Sequence, residues 1–232
     1  MKKQKHSTGG FSLVELLVGT ILFTIIAGAV FSLLFSAQLR YQGESNVTEA
    51  FHQANIAIDQ IVRDIHSAGY PPKSSFQPSA AYPENYALPF AWSPSYPGTP
   101  CMVGGSVGGC VVPGNNDLIV EADTGVGVQW IRYSLKNSTL MRAVKRKAPS
   151  QDPVSYTDDA LVPYLENVVN PDTAPLFLYR FDSTTPPPPQ QPSFIREVNI
   201  TLVVQSARPD PQTHAFRTIT LTGQAVRFNP NQ

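Results

Sequence analysis

Hydrophobic positions divide this chain into three textures. The first is an unbroken apolar run: between Leu16 and Leu39 there is no Asp, Glu, Lys or Arg, and a helix of that length, at about 1.5 Å per residue, reaches roughly 36 Å, enough to cross a bilayer. The second texture is periodic. Beyond Arg40, apolar residues recur at Val47, Phe51, Ala54, Ile58, Ile61, Ile65 and Ala68, in alternating steps of four and three that make a heptad seam. Glu49, Gln53, Gln60, Arg63 and Asp64 fall on the opposite face, so the segment is amphipathic, packed either on the protein's own sheet or in a coiled-coil dimer. Gly43 marks a bend within this stem, and Gly69, followed by Pro71 and Pro72, ends it.

The third texture mixes a long loop with short strands. Residues 70–116 are dominated by Pro, Ser, Gly and Tyr with no sustained period, which predicts an irregular segment with a role of its own. Its aromatics, among them Tyr82, Tyr86, Phe90, Trp92 and Tyr96, either pack the loop onto the sheet or form a contact surface. Strands are predicted over 117–121, 128–135, 140–144, 165–169, 176–181, 195–204 and 216–228, with Lys136 to Thr139 turning a hairpin. Val198, Ile200, Leu202 and Val204 alternate with less apolar positions, as a half-exposed strand of an antiparallel sheet requires. Pro186 to Pro189 make a stiff spacer between strands. The expected organisation is a leader over 1–10, a membrane or filament-core helix over 11–39, its amphipathic continuation over 40–69, and one β-rich extracytoplasmic domain over 70–232.

Charge orients this arrangement. Lys2, Lys3 and Lys5 precede the apolar run, whereas only Arg40 follows it before Glu44, which places the N-terminus in the cytoplasm and the large domain outside. The 17 basic and 17 acidic residues balance, but loss of the leader leaves 14 basic against 17 acidic. No basic surface is implied, so composition gives no support for a nucleic-acid partner and leaves only a local patch open. Cys101 and Cys110 lie in the exported part, where a disulfide is favoured over a pair of free thiols. Bridging so short a loop stabilises by roughly 2.5 to 3 kcal/mol on the chain-entropy account.

Glu15 is the chemically informative residue. A carboxylate near the start of an apolar run is costly and calls for a partner. The small residues Gly9 and Gly10 stand before the apolar run, not after it as in a secretory signal. A cut between Gly10 and Phe11 keeps the hydrophobic segment and creates an amine four residues from Glu15, on the same helical stripe. Pairing of Glu15 with its own amine neutralises the charge; pairing with a neighbour's also sets the register between subunits. No G-x-S-x-G, Walker loop, H-E-x-x-H or C-x-x-C occurs, and His6, His52, His66 and His214 are scattered. Asp117, Glu121 and Asp123 lack the spacing of an EF-hand calcium loop. No cofactor, metal or catalytic residue is expected.

The segment GGFSLVELL, with its acid fifth after the cut, closely resembles the prepilin signature of type IV pilins and type II secretion pseudopilins. The resemblance implies cleavage between Gly10 and Phe11 by a membrane prepilin peptidase, N-methylation of Phe11, and use of Glu15 in subunit docking. It also implies an α+β, pilin-like fold, a long N-terminal helix packed on an antiparallel sheet. AIDQIVRDIHSAGYP, residues 57–71, resembles the stem ending of PilW-like minor pilins and, less closely, of J-type pseudopilins. The absence of proline between Phe11 and Leu39 sets the chain apart from many major pilins. Gly19, Ala27, Gly28 and Ala29 either permit close helix approach or are ordinary membrane-helix residues.

The implied function is a minor pilin that helps initiate, prime or cap a type IV pilus. Its partners would be the peptidase and methyltransferase, other minor and major pilins, the assembly platform of the inner membrane, and membrane lipid before assembly. Its alternatives are a J-type pseudopilin of a type II secretion system and, from another class, a signal-anchored exported enzyme or ligand-binding domain.

Overall fold

The computed structural model describes residues 10, 12–76, 82–90, 115–147, 149, 161–181 and 195–228. One helix, α1 (Leu13–Ser67), precedes seven strands: β1 (Asp117–Asp123), β2 (Val128–Lys136), β3 (Thr139–Arg146), β4 (Val162–Leu165), β5 (Phe177–Phe181), β6 (Ile195–Gln205) and β7 (Thr218–Val226). All neighbouring strands are antiparallel. The fold is α+β and consistent with the pilin type. The strands form two sheets, β1-β2-β3-β4 and β5-β6-β7, where the sequence led us to expect one. Strand periodicity reports which residues extend, whereas partner choice depends on contacts between distant segments.

Contacts divide the chain into two compact units, Met1–Ser45 with Pro209–Ala215, and Asn46–Arg208 with Phe216–Gln232. Within the second unit, the amphipathic part of α1 packs on the sheets as the heptad seam predicts from Ala54 onward. Ala54, Ile61, Ile65 and Ala68 are fully buried and join residues of both sheets in a single core. Two positions depart from the pattern. Phe51 is 43% exposed and Ala50 is buried in its place, since a small side chain fits where helix and sheet come close. Asp64, expected on the polar face, is 3% exposed.

Close helix–sheet packing also explains a glycine. A Cβ on Gly223 of β7 would lie 2.6 Å from Cγ2 of Ile58, so only a residue without a side chain lets the strand pass beneath that turn.

The helix ends as its sequence predicts. Gly69 adopts a positive φ of 77°, and its N–H donates to the Glu121 carbonyl at 2.8 Å, tying the helix end to β1. At Gly43, by contrast, helical backbone continues without interruption. The 136–139 hairpin is a two-residue turn with φ of 49° at Asn137 and 61° at Ser138, the left-handed pair that suits strand twist. The strand expected over 165–169 is displaced: β4 stops at Leu165, and Val168 makes only an isolated bridge to Val204. Asn167, at φ 58°, breaks the extended run between them. This segment stitches the sheets together, since Asn170 donates to the Thr201 carbonyl at 2.7 Å and accepts from the Val203 N–H at 3.0 Å.

Candidate functional site

The N-terminal segment is built around a helix start. The Leu16 N–H donates to the Ser12 carbonyl at 3.2 Å, making Ser12 the N-cap. Three residues on, Oε2 of Glu15 accepts the Ser12 backbone N–H at 3.1 Å. That is the acidic half of a capping box, in which a carboxylate at the third helical position reaches back to satisfy an otherwise unpaired donor. The S-x-x-E pattern is legible in the sequence, and it gives Glu15 a backbone partner besides the terminal amines, its own or a neighbour's, that the charge calls for. Its place in the first turn also sets its charge at the favourable end of the helix dipole. Gly10 is exposed, and Phe11 lies outside the described residues.

Downstream, the helix presents apolar side chains to its surroundings on every side. Leu13 is 80% exposed, Phe23 and Phe31 are each 71%, and Leu33 is 72%. The helix is long and apolar enough to cross a membrane, and its most apolar stretch is nowhere buried. A helix that is hydrophobic all round needs lipid or other apolar helices about it. Two threonine hydroxyls on this surface are used internally: Thr20 donates to the Leu17 carbonyl at 2.9 Å, and Thr24 to the Ile21 carbonyl at 2.8 Å. A Cβ added at Gly19 or Gly28 would meet nothing within 4 Å among the described residues outside the helix's own backbone.

The remaining charged groups of interest hold the folded domain together. Asp64 Oδ2 accepts from the Tyr133 hydroxyl at 2.6 Å and from Arg142 at 3.1 Å, and Arg142 also donates to the Tyr133 oxygen at 2.9 Å. Burial, reinforced by the Asp64 charge, pushes the Tyr133 hydroxyl well above the ordinary tyrosine range. For Arg142, burial disfavours the charge, but Tyr133 and Asp64 outweigh it and leave the guanidinium more firmly protonated. A second site joins Glu121 and Lys147 at 2.9 Å, both side chains fully buried. There the carboxylate also accepts the Leu88 N–H at 2.9 Å, and Lys147 donates to the Tyr86 carbonyl at 3.1 Å.

These pairings also place the loop residues and the carboxylates considered for calcium. Tyr86 and Phe90 are buried, as packing of the loop onto the sheet predicts, while Tyr82 is 51% exposed and Trp92 and Tyr96 lie outside the described residues. Asp117 pairs with Arg132 at 3.0 Å, and Asp123 accepts the N–H groups of Gly125 and Gly127 in the β1–β2 turn. Among the described residues, no three His, Cys, Asp or Glu side chains converge as metal ligands. His66 stacks on Phe228 with ring centres 4.4 Å apart, and His52 lies edge-on to Phe51. Cys101, Cys110, the 186–189 prolines and His6 lie outside the described residues.

Residues 5–31 match the family described as the prokaryotic N-terminal methylation motif. No curated protein and no solved structure matches the chain. The matched segment contains Gly10, Phe11 and Glu15 and runs well into the apolar helix. It supports a type IV pilin or pseudopilin in general, which points to a structural subunit. The motif implies processing by a prepilin peptidase and assembly with other pilins, and with the apolar helix it is consistent with a single-pass, membrane-anchored pilin.

Proposed function

We propose that this chain is a minor pilin of the PilW-like kind, a low-copy subunit that helps initiate, prime or cap a type IV pilus. The observation that carries the reading is the pairing of a methylation motif over 5–31 with an apolar helix that is exposed on every side. The rank of minor subunit is supported by the 57–71 stem ending and by the absence of proline between Phe11 and Leu39.

In this reading the peptidase cuts between Gly10 and Phe11, Phe11 is N-methylated, and the leader lysines hold the N-terminus in the cytoplasm, so the β-rich domain faces the periplasm or the exterior. Cys101 and Cys110 form a disulfide there. Glu15, until then engaged by its own Ser12 N–H, docks on the terminal amine of a neighbouring subunit, and the apolar stems bundle as the fibre core.

Deletion of the gene, scored for piliation against release of secreted proteins, tests the assignment. Loss of pili with normal secretion is expected. Normal pili with lost secretion would make the chain a J-type pseudopilin instead, and neither defect would favour an anchored exported domain of another class.

A further inference from the structure

The loop between β6 and β7 belongs to the same compact unit as the apolar part of α1. Asp210, 6% exposed, lies against the helix at Gly43, where an added Cβ would stand 3.2 Å from Asp210 Oδ2 and 3.7 Å from Pro211 Cδ. Glycine at this turn therefore lets the loop seat directly on the helix backbone. The loop is closed on itself. Asp210 Oδ1 accepts the N–H groups of Gln212 at 2.8 Å and Thr213 at 3.1 Å, while the Asp210 N–H donates to the Ala215 carbonyl at 2.9 Å and the His214 N–H to the Asp210 carbonyl at 2.8 Å. Its carboxylate is thus turned inward, leaving Gln212, Thr213 and His214 exposed.

The position of this contact along the helix gives it meaning. The charge-free run ends at Leu39, and Gly43, four residues on, lies about 6 Å further along the axis. A charge-free run of about 36 Å is longer than the hydrocarbon core of about 30 Å and is accommodated by a tilt of about 20 to 30°, which sets Gly43, and the loop seated on it, about 20 to 22 Å from the bilayer centre, in the outer part of the headgroup layer. The neighbouring side chains suit that layer. Arg40 is exposed and offers a cation to phosphate, Tyr41 is 75% exposed at the level where aromatic residues gather, and Glu44 is exposed on the same turn.

We propose that the Pro209–Ala215 loop is a membrane-surface element, resting in the phospholipid headgroup layer while the subunit waits in the bilayer. This rests on the membrane-stored state in the proposed function, and the test separates the two. The full chain, carrying a genetically encoded fluorescent residue at Thr213 or at Ile26, is reconstituted in phosphatidylcholine–phosphatidylglycerol vesicles with nitroxide lipids. Quenching by headgroup and acyl-chain nitroxides then reports depth. The Ile26 probe should be quenched by acyl-chain nitroxide, and the Thr213 probe should be quenched by headgroup nitroxide at a depth of about 15 to 22 Å from the bilayer centre. Gly43→Val, which displaces the loop, should abolish headgroup quenching at position 213 and leave the Ile26 signal unchanged. A Thr213 probe open to aqueous iodide and untouched by headgroup nitroxide, with Ile26 still in the acyl region, would overturn the loop's role alone. Loss of acyl-chain quenching at Ile26 would overturn the membrane-stored state and the inference with it.

Discussion

The two ends of α1 share one backbone geometry and opposite surroundings. From Leu13 to Phe35 the large apolar side chains are exposed, and the one charge, Glu15, sits in the first turn with a backbone donor. From Ala50 to Ala68 the apolar stripe is buried, and the one buried charge, Asp64, is held by Tyr133 and Arg142. Helix formation therefore does not decide what a helix does. The second half finds its apolar partners within the chain, whereas the first is chemically complete only in lipid or among other helices. Each half also carries a carboxylate that tests what its surroundings supply.

The largest effect is expected at the exposed end. Glu15→Ala should leave leader cleavage intact but nearly abolish incorporation, read by immunoblot of membrane and sheared-filament fractions. Glu15→Gln sharpens the point, because a glutamine still completes the capping box yet offers no charge to a neighbour's amine. Incorporation of Glu15→Gln at normal levels would reduce the role of this residue to helix capping.

At the buried end, Asp64→Ala leaves the Tyr133 hydroxyl and the Arg142 guanidinium without their shared acceptor. It should destabilise the full chain in detergent by about 3 to 5 kcal/mol, measured by urea denaturation followed by tryptophan fluorescence. A smaller change is expected for Gly223→Ala, whose methyl group meets Ile58 and should cost about 1 to 3 kcal/mol as overpacking. If Gly223→Ala is neutral, the helix is free to lift from β7, and the contrast between a fixed half and an unpartnered half weakens.

The effect of pH is absent near neutrality and builds only in alkali. The Tyr133 and Tyr179 hydroxyls are both raised above 10, chiefly by burial. The unfolded chain then releases these protons before the folded chain does. Stability should be complete below pH 10 and fall above it, by about 1.4 kcal/mol per pH unit for each tyrosine. Removing one hydroxyl, as in Tyr179→Phe, should lessen the slope.

Much of this was legible along the chain, for reasons that are local. The apolar run, the 54–68 seam, the left-handed glycine at 69 and the 136–139 hairpin all follow from side-chain period and turn chemistry within a few residues. Asp64 falls on the polar face by helical period, which assigns a charge to solvent, yet it is buried against partners, Tyr133 and Arg142, that stand 69 and 78 residues away. The same distance effect hid the split into two sheets and the pairing of Glu121 with Lys147. Ser12 is the opposite case. Its capping pattern is local, three residues from Glu15, and is readable without any distant partner.

The back-bonded threonines have a consequence for how the exposed helix can move. Because Thr20 and Thr24 spend their hydroxyls on carbonyls of their own helix, this stretch of surface asks no polar partner of whatever surrounds it. Lipid chains and leucine-rich neighbours are nearly equivalent solvents for such a surface. Exchanging one for the other thus breaks no hydrogen bond at these positions, and the choice between them is left to shape and to the charge at the helix start.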